Sequence, residues 1–344
     1  MGQHYVGLDV SLETTSVCVL DEAGAVLWRG KVASTPEAIA AAVWARAPEV
    51  ERIGLETGPL CTWHWHALRG MGLPVVCLDA RHAKAALSLQ LNKTDANDAY
   101  GLAQIVRTGW YREVAVKGLD DHRVRALLSS RAQLVDMRRD LGTKIRGLLK
   151  TFGRVVGKVG DKEYPARVRE LAAGEAGLEE AVSALLAVRE RLEQQIAALE
   201  DRILTLAKRS DACRRLTTIP GVGALTAVSF IAAIGDPTRF ARSSTVGAYF
   251  GLTPRRHQSG EIDRVGKVSK CGDALTRTYL FEAAGVLLAR VTRWSALKAW
   301  GTRLAKRVGG KKARVALARK LAVLMHRVWG DGTEFRWSKA AAAA

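Results

Sequence analysis

The sequence has no apolar run approaching the ~20 residues that span a bilayer, and MGQHYVGLDV at its start lacks the basic-then-apolar pattern of a secretory signal. Cysteine is sparse and scattered. Cys18, Cys61, Cys77, Cys213 and Cys271 form no CxxC pair and no zinc spacing, which argues against a disulfide scaffold or a structural zinc site. They read as reduced, mostly buried thiols of a cytoplasmic protein. One further absence is local: between Ala283 and Gly330 there is no acid, against twelve Lys or Arg. What is present excludes a disordered chain, since 48% of the residues are hydrophobic and can bury a core.

Charge is divided unevenly. Residues 1–100 hold 8 basic and 11 acidic side chains, a net of −3, whereas the remaining 244 hold 45 and 23, a net of +22. A nearly neutral front joined to a strongly basic remainder suggests catalysis in the first part and polyanion binding in the second. The acid-free stretch includes GGKKARVALARKLAVLMHRVW, a basic amphipathic helix with Trp294, Trp300 and Trp329 interleaved nearby. A helix lying on a membrane surface has similar composition. Phosphate contact through Lys311, Lys312 and Arg314 agrees better with the overall charge.

The first hundred residues read as α/β. YVGLDV and TSVCVL are β-rich runs separated by SLET, and AVLWRGKVA follows the turn DEAG; strands this closely spaced form a meander of hairpins. A helix is predicted over Pro36–Arg46, with Thr35 as its N-cap and proline in its first turn. RIGLET is a fourth strand, WHWHALRGMG a helix and LPVVCLD a fifth strand. RHAKAALSLQL and the stretch from about Asp95 are helical. The order βββ-α-β-α-β-α is ribonuclease-H-like, and the domain is assigned to residues 1–115. Residues 116–210 are helical and charged. There Leu178, Val182, Leu185, Arg189, Leu192, Ile196, Leu199, Ile203 and Leu206 keep a 4-3 spacing, which predicts a coiled coil and self-association rather than one helix packed on its own domain. Residues 211–335 are mainly helical, and 336–344 form a frayed tail. In the third region Pro220-Gly221-Val222-Gly223 joins two apolar helical segments. As a helix-hairpin-helix it would present backbone N–H groups to a phosphate around Gly221 and Gly223; as a plain joint it would only turn the chain.

Four acids stand where a ribonuclease-H-like domain gathers them: Asp9 in VGLDV, Glu56 in GLET, and Asp95 and Asp98 at a helix start. The last two also resemble a capping box with Asp98 at N3. Carboxylates brought together raise one another's pKa unless a cation neutralises them, and hard oxygen ligands suit Mg²⁺ or Mn²⁺. Two such ions roughly 4 Å apart would clamp the attacking and leaving oxygens of a phosphodiester. Ser259, taken alone, is a turn residue before a glycine in a polar loop. Its neighbours Arg255, Arg256, His257, Arg264, Lys267 and Lys270 make a phosphoryl role plausible, because they would stabilise charge on a phosphorane-like transition state. Glu261 and Asp263 are candidate bases and His257 a candidate proton carrier, but the carboxylate–metal cluster is the more economical activator. Trp63-His64-Trp65-His66 is an amphipathic helix face rather than a metal pair, since H-x-H on a helix points the rings about 200° apart. Ser243-Ser244-Thr245 reads as a helix cap.

Taken in order, GLDVS, LETGPL, NKTDANDA, IPGVG and AYFGLTPRRHQSGEIDRVGKVSKCGD resemble the DEDD-type insertion-sequence transposases, the bridge-RNA-guided recombinases. The likeness runs from about Tyr5 to Trp329. It implies a RuvC-like N-terminal domain using Asp9, Glu56, Asp95 and Asp98, and a helical C-terminal transposase domain whose nucleophile is Ser259. It implies further that the two domains form a composite site across protomers, that the serine becomes linked to a DNA 5′ phosphate, and that a structured guide RNA directs a dimer or tetramer to donor and target DNA. A RuvC-like nuclease or junction resolvase is the alternative, needing the acids but not Ser259. An actin-like ATPase or sugar kinase is less favoured, because the chain lacks a second phosphate loop and a Gly-Gly adenosine motif. A purely structural nucleic-acid-binding protein would tolerate loss of Asp9 or Glu56.

Overall fold

A computed structural model describes residues 2–88 and 92–337, and the chain divides into two compact units, Met1–Lys117 and Gly118–Ala344. The last three residues of RHAKAALSLQL and residues 338–344 of the tail lie outside the described residues.

In the first unit, β1 (His4–Val10), β2 (Thr14–Leu20) and β3 (Val26–Ala33) form the expected antiparallel meander. They are followed by α1 (Pro36–Arg46), β4 (Val50–Glu56), α2 (Cys61–Gly70), β5 (Val75–Leu78), α3 (Ala80–Leu87) and α4 (Asp95–Thr108). Thr35 caps α1, its hydroxyl accepting the Ala38 N–H at 3.3 Å. Strand order is β3-β2-β1-β4-β5, with β4 parallel to both β1 and β5. This mixed sheet is compatible with a ribonuclease-H-like domain.

One face of the sheet buries Val6, Leu8, Val17, Val19, Ile53 and Leu55 against α1 and α2. On the other face lies α4, and two glycines let it come close. Gly7 of β1 and Gly54 of β4 are partners in register. A methyl group on Gly7 would stand 2.0 Å from the Ala99 carbonyl oxygen and 2.4 Å from the Ala103 nitrogen. One on Gly54 would stand 2.5 Å from Val106 Cγ1. The pair forms a side-chain-free notch in which the helix rests on the sheet backbone.

The second unit is mostly helical: α5 (Leu119–Thr151), α6 (Tyr164–Ala172), α7 (Ala176–Arg209), α8 (Asp211–Thr217), α9 (Ala224–Ile234) and α10 (Val246–Tyr249). A hairpin of β6 (Pro254–Ser259) and β7 (Ile262–Val268) leads to α11 (Ala274–Ala289), α12 (Ala296–Val308) and α13 (Gly310–Gly330). Helices α5 and α7 run antiparallel, bridged by Arg131–Glu200 and Arg138–Glu193. The apolar stripe of α7 finds its partners inside the chain: Leu178, Val182 and Leu186 pack with Ile145, Leu149 and Val168. Burial follows Leu178, Val182, Leu186, Arg189, Leu192 and Ile196. That spacing tracks the 3.6 residues per turn of a straight helix rather than a 3.5-residue supercoil, so Leu185 gives way to Leu186. A second copy is not needed to cover the stripe. Arg189 sits buried in it, paired with Glu193 at 2.9 Å and with its guanidinium 4.7 Å from the Tyr164 ring centre. The main core gathers α9, α11 and α13 around Phe230, Phe250, Leu280, Leu287, Leu321 and Met325. Among the described residues, no helix is long and apolar enough to cross a membrane.

Candidate active site

Asp9 and Glu56 each stand two residues beyond a notch glycine, in Gly7-Leu8-Asp9 and Gly54-Leu55-Glu56. Strand alternation therefore turns both carboxylates toward the face where α4 lies. Asp98 is in the first turn of α4. The cap of that helix is Thr94, whose hydroxyl accepts the Asn97 N–H at 3.2 Å. The capping-box reading is thus corrected: Asp95 is the first helical residue and Asp98 the fourth, and neither carboxylate caps. A β-hydroxyl one residue earlier reaches the third helical N–H, so neither acid is used as the cap.

The electrostatics divide the four acids. Burial raises the Asp9 carboxyl above the ordinary carboxylate range, and the charges of Asp98 and Asp95 add to it. Burial likewise raises Glu56, with Asp9 and then Asp98 adding. Upward shifts caused by neighbouring carboxylates mark acids that share one space. Asp95 goes the other way: Lys31 Nζ donates to its carboxylate at 2.8 Å and holds it below the usual range. Lys31 pairs across the sheet with Ser16, which pairs with Asp9, so all three lie at one level of the β3-β2-β1 ladder. Lys93 also opposes the upward shifts of Asp9 and Glu56. Neither lysine stands in a motif that marks it as part of the site. Lys93 is visible inside NKTDAND, whereas Lys31 emerges only once the register is known.

Among the described residues, no group of three His, Cys, Asp or Glu side chains stands at metal-coordinating spacing. The donor chemistry of the cluster nonetheless fits a hard divalent ion. Its groups are all oxygens, and the Asp98 carboxylate is close enough to Asp9 and Glu56 to raise both.

Ser259 is the last residue of β6, not a loop residue as its sequence context suggests. It pairs with Ile262, and Gly260 (φ +55°) and Glu261 make the two-residue turn that closes the hairpin. The whole of β6 is exposed. Arg256 forks onto Asp263, Nε to Oδ1 at 2.7 Å and Nη2 to Oδ2 at 2.5 Å, and the guanidinium depresses the Asp263 carboxyl. A carboxylate held this way is a poor proton acceptor, which removes Asp263 from the candidate bases. Arg255 donates to the Ser269 carbonyl at 3.2 Å. His257, Arg264 and Lys267 are exposed along the same two strands. Lys270 lies just beyond β7 with φ +56°, the only non-glycine residue in the left-handed region among the described residues.

The remaining candidates separate by role. Gly221 (φ +88°) turns the chain between α8 and α9 where a methyl group would lie 2.5 Å from the Ala283 carbonyl oxygen, so its smallness serves packing. Gly223 is exposed and precedes α9 without a side-chain cap. Lys311, Lys312 and Arg314 are exposed in the opening turns of α13. His64 is buried with its Nδ1 on the Leu60 carbonyl, and His66 donates to the Lys117 carbonyl at 2.9 Å. Ser243 does not cap: its hydroxyl meets His326 Nδ1 at 2.9 Å, while His326 Nε2 donates to the Pro237 carbonyl.

Comparison with known proteins identifies the family of the chain. A family profile for DEDD transposases of the IS110 type matches residues 6–153, and one described as the transposase IS116/IS110/IS902 family matches residues 213–301. The chain is 31% identical over 328 residues to the transposase for insertion sequence element IS1111A of Coxiella burnetii, covering 93% of this chain and 88% of that one. It is 30% identical over 251 residues to a probable family 20 transposase of Pseudomonas aeruginosa, covering 71% of this chain and 74% of that one. A pilin gene-inverting protein of Moraxella bovis is 32% identical over 115 residues, 33% of this chain and 35% of that one.

Proposed function

The chain belongs to the IS116/IS110/IS902 transposase family and is a DNA transposase, and from that premise we propose that it cuts and rejoins DNA through a covalent 5′-phosphoserine at Ser259. The acid cluster supports the metal-dependent half of this reading, and the serine half rests on the family resemblance and on the cations along the hairpin that ends β6 at Ser259. On the notch face of the sheet, burial and the neighbouring Asp98 charge raise both Asp9 and Glu56, an arrangement unfavourable to folding and suited to cation-assisted chemistry. Asp9, Glu56, Asp95 and Asp98 would hold divalent metal, Mg²⁺ or Mn²⁺ and by the family's pattern two ions; Asp95 must exchange its Lys31 partner to join them. When bound, such ions stabilise negative charge on the reacting phosphate oxygens.

The chain's own groups perform the rest. Ser259 Oγ attacks phosphorus and the bond to the 3′ oxygen breaks. The 5′ phosphate stays on the serine, the serine proton passes to a base, and the departing 3′ oxygen takes up a proton. Rejoining reverses these steps with the 3′ hydroxyl of the other strand. Arg255, Arg264, Lys267 and Lys270 stabilise charge on the phosphoryl group, while Arg256 is engaged with Asp263. Beyond this chemistry, guidance by a structured RNA and action as a dimer or tetramer are carried by the family resemblance. Sequencing RNA that copurifies with the protein from cells tests the guide directly.

The test of the serine is a labelled DNA substrate resolved under denaturing conditions. Wild-type protein is expected to give a protein–DNA adduct and Ser259→Ala none. Cleavage and joining by Ser259→Ala at the wild-type level would overturn the serine reading in favour of a RuvC-like nuclease.

A further inference from the structure

We propose that the groove at the base of the serine hairpin seats a single-stranded stretch of DNA with one unpaired base inside it, an assignment that rests on the transposase reading above. The groove has a volume of about 1030 Å³ and runs between β7 and helices α12 and α13. Its interior is apolar: Leu252, Val268, Trp300, Val315 and Val323 line it. Its rim is cationic, with Lys267, Lys270, Lys312, Arg319 and Lys320 and no acid among the lining residues. Those two properties together select the occupant. A rim of five cations selects a polyanion, and an apolar recess excludes one whose only face is phosphate. Bases in a duplex are stacked and paired, so they offer no free face to such a recess. An unpaired base fills it while its own phosphates stay at the rim.

Three details agree. The Lys320 ammonium stands 4.4 Å from the Trp300 ring centre, placing a cation directly beside the aromatic wall. Lys312 lies in the first turn of α13, where the helix dipole disfavours a cation and a phosphate relieves the conflict. Val265 of β7 is 71% exposed yet belongs to the lining, so apolar surface is left open there rather than packed away. DNA is the occupant rather than RNA because β7, one wall of the groove, is the partner strand of β6, which ends at Ser259. A strand opened for attack by that serine supplies unpaired bases at this wall.

The experiment uses the full chain and fluorescence anisotropy with four labelled probes: a 12-nucleotide single-stranded DNA, the same strand with a central abasic site, its blunt duplex, and an RNA of the same sequence. The intact strand is expected to bind about tenfold tighter than the abasic one, the effect of seating a single base. Ala316→Phe fills the groove without changing charge; it is expected to bring the intact strand down to the abasic level and leave the duplex within about twofold. Lys320→Gln is expected to weaken every probe and lower the salt slope by about one. Equal binding of intact and abasic strands by wild-type protein overturns the proposal, as does RNA binding as tightly as DNA. The abasic comparison needs no variant, so it stands even if Ala316→Phe misfolds. Failure of the Ser259 adduct with abasic discrimination intact breaks the serine reading alone; the reverse result breaks the groove alone.

Discussion

The acid cluster of the first unit and the serine hairpin of the second are built in opposite ways. Asp9 and Glu56 are half-buried on adjacent strands whose glycines admit α4 onto bare backbone, leaving no room for adjustment. Ser259 ends a hairpin exposed along nearly its whole length, held by its ladder and by the Arg256–Asp263 pair. Groups that must concentrate like charge need a rigid, dry scaffold, since repulsion would otherwise spread them apart. The nucleophile role proposed for Ser259 would need reach and a surrounding of cations, which exposed strands provide.

The comparison can be broken at its strongest point by asking whether the two parts serve one reaction. Asp98→Ala and Ser259→Ala are each expected to reduce DNA joining by roughly 10³-fold or more, and the double variant by no more than the worse single, because groups acting as a unit are non-additive. Yields of joined product from the three variants decide it; multiplied losses would mean two independent activities. Next in size is the scaffold. Gly7→Ala forces a methyl group into the α4 backbone and is expected to lower stability by about 3 kcal/mol. Gly260→Ala, with open space around it but φ +55°, is expected to cost about 1 kcal/mol. Denaturant unfolding curves of the two variants measure the contrast.

The smallest effect concerns pH. Asp273 caps α11, accepting the Thr276 N–H at 2.7 Å and pairing with Arg125. Burial pushes its carboxyl up, but these partners prevail and hold it below the usual range. Its stabilisation is therefore present above the unfolded carboxylate pKa, about 3.9, and lost as pH falls through the lower folded value. Asp9 has the opposite sign: its folded pKa is raised, so it opposes folding at neutral pH and is relieved as pH falls through that value. At pH 7, Asp273→Ala is expected to lose about 1 kcal/mol and to flatten the acid limb of the stability curve. Asp9→Asn is expected to raise the melting temperature of the metal-free protein by about 2–5 °C. Thermal melts from pH 3 to 7 read both signs.

Much of the first unit is legible in the sequence because its signals are local. Thr35 and Pro36 mark the start of α1, and strands separated by SLET and DEAG can only fold back on one another. The α7 stripe was legible as a buried face but not for what buries it, since a 4-3 spacing is satisfied equally by a second chain or by α5 and α6. The helix start at NKTDAND was legible to within a residue. Whether Thr94 or Asp95 caps depends on which oxygen reaches the N–H groups, and spacing does not encode that. Ser259 read as a loop residue because serine before glycine signals a turn, while the β-pairing that places it at a strand end involves residues as separated as Pro254 and Val268.

By itself, then, the sequence determined the order of the elements and the division between a near-neutral front and a basic remainder, and it put forward the four acids and the serine as candidates. Each of these depends on residue type and near neighbours. Only the tertiary structure decided that Gly7 and Gly54 stand side by side beneath α4, that Lys31 reaches Asp95 across three strands, and that cations from β7 and α13 rim an apolar groove. Those are relations between residues tens of positions apart. They arise from strand register and helix packing, which follow from how the whole chain excludes water rather than from any one stretch of it.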